Sequence, residues 1–104
     1  IANIQLLCGL AEKGCRGMLI GKDSWYRVIC NEEITFDQGH TGFLSAFCMG
    51  DMAYGVYEEG LKYALCDAVL RKEYPIGVSN EFIGKESRVS VREGTLLLVG
   101  ENKE

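Results

Sequence analysis

Between residues 17 and 99 the chain is a succession of short apolar runs, each closed by a cluster containing glycine, asparagine, aspartate or serine. Runs rich in valine, isoleucine, leucine and aromatic residues, interrupted at this spacing, read as strands joined by turns. Residues 17–20 and 25–30 read as a hairpin about the cluster 21–24, and 34–36 as a short third strand. Residues 43–48 read as a buried strand, followed by runs at 53–57 and 61–65. Residues 66–74 read as a short helical turn anchored by Leu70 and closed by Pro75. Residues 78–83 form a further strand-like run. Residues 87–92 alternate apolar and polar, Glu93-Gly94 reads as a hairpin turn, and 95–99, apolar on both faces, as a central strand. About eight short strands with glycine-rich turns imply a mainly β fold, an antiparallel β-sandwich or jelly-roll-like barrel.

The first residues follow another rule. Ile1, Ile4, Leu7, Cys8 and Ala11 recur at helical spacing, with Gly14 as C-cap. A helix under way at residue 1, without an N-cap or initiator methionine, reads as the end of an upstream α/β domain. The expected division is a helix over 1–14, left over from that domain, and a β domain over 15–104.

Composition excludes several classes. A net charge of -4 argues against nucleic acid as a partner. No apolar run approaches the roughly 20 residues of a membrane span. The five cysteines are odd in number, with no C-x-x-C pair and a single histidine, so free thiols in a reducing cytoplasm are expected rather than a zinc site. His40, in the loop 37–42, has no serine nucleophile or carboxylate next to it in sequence and reads as solvated. Asp51, Glu58 and Glu59 read as solvated turn carboxylates that protect a strand edge. Phosphate-binding, dinucleotide-binding, zinc-protease and hydrolase motifs are all missing from these residues. The residues favour a binding module over a complete enzyme.

The stretch from Gly77 to Gly84 is the chemically distinctive one. Ser79 and Asn80 interrupt an apolar run. Such a pair can bond its own backbone, or it can recognise a ligand, since an asparagine amide offers a donor beside an acceptor.

The segments Gly60-Leu61-Lys62-Tyr63-Ala64-Leu65, Gly77-Val78-Ser79-Asn80-Glu81-Phe82 and Glu93-Gly94-Thr95-Leu96-Leu97-Leu98-Val99 together resemble the C-terminal, vitamin B1-binding domain of thiamine pyrophosphokinases. Phe43-Leu44-Ser45-Ala46-Phe47 resembles the strand that opens that domain, and residues 1–7 the helix preceding it. The resemblance implies a cytoplasmic homodimer that transfers pyrophosphate from ATP to the hydroxyethyl oxygen of thiamine, giving thiamine diphosphate and AMP. It implies that ATP and Mg²⁺ are bound by an upstream domain and not by this chain, and that catalytic residues lie outside it. It assigns thiamine contacts to Leu61, Tyr63, Gly77, Val78, Ser79 and Asn80. Asn80 would face the aminopyrimidine edge, Ser79 would add a hydroxyl bond, and Tyr63 would lie against a ring of the cationic ligand. The alternative is a β module for dimerisation or regulation that binds no thiamine.

Overall fold

The computed structural model describes residues 17–72 and 78–102, together with Gly9 and Lys13. The elements assigned among them are all strands. The helix expected over 1–14 lies, Gly9 and Lys13 apart, outside the described residues. The strands are β1 (Met18–Ile20), β2 (Ser24–Cys30), β3 (Glu33–Phe36), β4 (Phe43–Cys48), β5 (Met52–Glu59), β6 (Leu65–Arg71), β7 (Val78–Glu81), β8 (Ser87–Glu93) and β9 (Thr95–Glu101). One sheet has the order β1-β2-β9-β4-β7 and the other β3-β8-β5-β6, with every pairing antiparallel. From β2 onward the chain changes sheet at every connection except β5–β6, which is the strand order of a jelly roll. The sheets do not close into a barrel; they face each other as a sandwich.

Alternation explains the core. Ile29, Leu44, Ala46, Leu96 and Leu98 from one sheet meet Ile34, Phe36, Ala53, Val56, Val89 and Val91 from the other. Strand β9, apolar on both faces, lies between β2 and β4 as its sequence predicts. Its outward Leu97 joins Val28 in a second cluster with Tyr26, Phe47 and Val99.

Two expectations are corrected. Residues 66–74 were expected to hold a helical turn, but 65–71 are strand β6. Asp67 adopts φ 50°, and the register of β5 on β6 shifts on either side of Val56. The bulge sets the partly buried Leu65 and Ala68 three residues apart, a spacing that mimics a helix. Glu93-Gly94 was expected to turn a hairpin, yet β8 and β9 belong to different sheets. Gly94 is a corner. Its N–H donates to Asn31 Oδ1 at 2.7 Å and its carbonyl accepts from Asn31 N at 3.0 Å, tying together two crossings between the sheets. Gly94 has φ 131°, and an added Cβ would stand 2.8 Å from Ala53 Cα.

Gly94→Ala is therefore expected to destabilise the chain by about 1–3 kcal/mol, through a strained φ and a clash with backbone. Urea unfolding of the two proteins measures it.

Candidate functional site

The loop between β5 and β6 leaves its own sheet and docks on β7 of the opposite one. Gly60, at φ 77°, makes the departure, and a side chain there would run into the Glu86 carbonyl. Leu61, 6% exposed, forms an isolated bridge with Phe82, and Lys62 N donates to Glu81 O at 3.0 Å. Leu61 and Tyr63 were read as members of a strand; beyond that one bridge, residues 61–63 are loop.

Asn80 holds this loop. It is 2% exposed and faces inward from β7. Its Oδ1 accepts from Tyr63 N at 2.9 Å and from Glu81 N at 3.0 Å. Its Nδ2 donates to Tyr63 O at 2.7 Å and to Glu58 Oε1 at 2.7 Å. Both amide protons and both oxygen lone pairs are thereby used inside the chain. The Asn80 side chain thus does not present its donor and acceptor to a ligand, contrary to the sequence expectation; it shapes the loop that carries Tyr63.

Glu58 is the partner that sequence reasoning missed. It was read as a solvated turn carboxylate, yet it sits near the end of β5, facing the core at 1% exposure. Local spacing carries no signal of this, because the β5 bulges decide which residues face inward. Burial pushes its carboxyl above the ordinary glutamate value of 4.5, and the Asn80 hydrogen bond pulls it partly back. Its Oε2 is buried without a hydrogen-bond partner among the described residues, which favours the protonated form.

The outward residues differ. Ser79 is exposed and pairs across from Ser45 on β4. Because Glu81 O accepts from the docked loop and Phe82 N donates to Gly42 O on the β4 side, the main-chain groups of β7 alternate between its two edges. By that alternation the N–H and C=O of Ser79 point to the edge away from β4. Tyr63 is 59% exposed, with Lys62 Nζ 5.6 Å from its ring centroid, and Lys62 pairs with Glu81 at 3.7 Å. The structure thus brings Leu61, Tyr63, Ser79 and Asn80 to one edge of the sandwich. Gly77 and the side chain of Val78 lie outside the described residues. Among those described, no group of three or more His, Cys, Asp or Glu side chains is placed to hold a metal ion.

His40 was expected to be solvated and without a carboxylate. It is half-buried, packs edge-on to Phe36 at 5.1 Å and at a tilt to Phe82 at 5.4 Å, and its Nδ1 lies 3.2 Å from Asp37 Oδ1.

Asn80→Ala strands Glu58 and both main-chain groups of Tyr63, and is expected to cost about 3 kcal/mol in denaturant unfolding. Glu58 makes stability pH-dependent. The folded state holds its proton more tightly than the unfolded chain does. Its stabilising contribution is present in full below the ordinary glutamate value and is lost as pH rises through the raised folded value. Glu58→Gln keeps an acceptor for Asn80 and removes the titration. From about pH 5 to about pH 7 the unmodified chain is expected to lose more stability than Glu58→Gln, read from unfolding midpoints.

The family described as thiamin pyrophosphokinase, vitamin B1 binding domain, matches residues 31–96. No curated protein matches the chain. Among solved structures, thiamine pyrophosphokinase from Bacillus subtilis superposes with a TM-score of 0.89 at 20% identity, over 99% of this chain and 49% of that one. The enzyme from Geobacillus thermodenitrificans gives 0.85 at 19% identity, over 99% and 47%. Yeast thiamin pyrophosphokinase gives 0.77 at 14%, over 97% and 35%. The chain therefore spans half or less of the length of these proteins, and at such identities the likeness carries the fold. With the family match covering more than half of its residues, the chain belongs to the vitamin B1-binding domain family of the thiamin pyrophosphokinases.

Proposed function

We propose that this chain is the thiamine-binding part of an enzyme that transfers pyrophosphate from ATP to the hydroxyl of thiamine. The observation that carries the proposal is the β7 edge, where Asn80 fixes an exposed aromatic beside a strand edge with main-chain hydrogen-bonding groups. Thiamine presents an aminopyrimidine with an acceptor beside a donor, and a strand edge offers the complementary pair. In this reading the N–H and C=O of Ser79, with its hydroxyl, take the role expected of the Asn80 amide. Tyr63 lies against a ring of the ligand, with Lys62 Nζ, 5.6 Å from the Tyr63 centroid, displaced from that face. Asn80 positions both without touching thiamine.

Mg²⁺ and ATP belong, in this proposal, to an upstream domain, and the chain's own part is to bind and orient the accepting alcohol. A homodimer in a reducing cytoplasm completes the reading, as the resemblance set out above implies. A second reading, a β module for dimerisation or regulation without thiamine, draws on the full internal engagement of Asn80.

Calorimetric titration separates the two. Thiamine is expected to bind, and Tyr63→Ala to weaken it by about 2- to 30-fold, the range of one cation–π contact. An analogue lacking the pyrimidine amino group is expected to bind more weakly still. If the protein carrying the upstream domain releases no thiamine-dependent AMP, the enzymatic reading fails.

A further inference from the structure

A second cleft opens at the opposite edge of the larger sheet, where β1 and β2 stand over β3, with a volume of about 370 Å³. It is lined from β1, β2, β3 and the loop bearing His40, and at His40 it adjoins Phe82, just beyond β7. Its walls are aromatic and aliphatic, chiefly Trp25, Ile34 and Phe36, with the Trp25 and Phe36 ring centroids 5.6 Å apart. Its charged groups are Arg27 and Lys22, and His40 closes one end. No carboxylate is among the described residues that line it, although the chain carries 15 acidic residues against 11 basic ones. Asp37, 3.2 Å from His40 Nδ1, is 76% exposed and does not line the cleft. Arg27 Nε is shielded from solvent and has no hydrogen-bond partner among the described residues. A guanidinium stays charged, so Arg27 and Lys22 together give the cleft a positive lining.

We propose that this cleft binds a small aromatic anion, its ring system against Trp25 and Phe36 and its anionic group on Arg27 and Lys22. A cation such as thiamine is disfavoured here by the sign of the charge, which separates this cleft from the β7 edge. The volume suits one such molecule, since small-molecule sites start at roughly 300 Å³.

Trp25, the only tryptophan of the chain, lines this cleft, so its emission follows the titration while the Arg27 and Lys22 variants locate the dye. The test titrates the chain with 8-anilino-1-naphthalenesulfonate, with N-phenyl-1-naphthylamine, which has the same rings and no sulfonate, and with sodium sulfate. The sulfonate dye is expected to quench Trp25 saturably and to bind about tenfold more tightly than the neutral amine. Arg27→Met and Lys22→Gln are each expected to weaken the sulfonate dye and leave the amine unchanged. Lys22 is exposed, so its replacement keeps the test valid if Arg27→Met fails to fold by circular dichroism. Equal affinity for the two dyes, sulfonate binding unaffected by Lys22→Gln, or unquenched Trp25 overturns the proposal. So does sulfate that competes as well as the dye binds, or a dimer in sedimentation that shuts the dye out.

Discussion

The described structure turns on one buried side-chain amide. Asn80 sits on an edge strand of one sheet and reaches Glu58 in the other, while also closing both main-chain groups of Tyr63. A polar group at 2% exposure is tolerated only when its hydrogen bonds are met, and here they are all met by the chain itself. The network joins β5, β7 and the loop after β5, none of which are neighbours in one sheet. It adds directional side-chain bonds to the main-chain bridge of Leu61 with Phe82 and to the Lys62–Glu81 main-chain bond.

That direction is what would make β7 the binding edge proposed above. With the loop fixed, Tyr63 stands out from the surface, Lys62 lies near its ring, and the outward face of β7 carries Ser79. Glu58 contributes from behind, through Asn80, and its raised proton affinity is the cost of placing a carboxyl in the core. In the proposed reading, specificity comes from a rigid strand edge rather than from a mobile side chain, which lowers the entropy lost on binding.

Much of the fold was legible in the sequence, for particular reasons. Strands β2, β4, β8 and β9 follow from apolar runs or clean alternation, and the central position of β9 follows from its being apolar on both faces. Strand β6 was hidden because the bulge at Asp67 imitates helical spacing. The corner at Gly94 was taken for a hairpin because a glycine turn does not record which sheet its two strands join. Ser79, Asn80 and Tyr63 were expected together and lie at one edge, but the internal bonding of Asn80 was not legible. Its partner Glu58 is 22 residues away, and only the cross-sheet geometry brings the two together.

Hydrogen exchange at the Asn80 side-chain amide, followed by NMR with and without thiamine, reaches the centre of this account. Protected Nδ2 protons whose resonances stay in place while the Ser79 main-chain amide shifts are the predicted result. Nδ2 protons that exchange freely in the unliganded chain, or that shift with thiamine occupancy while Ser79 does not, would contradict it.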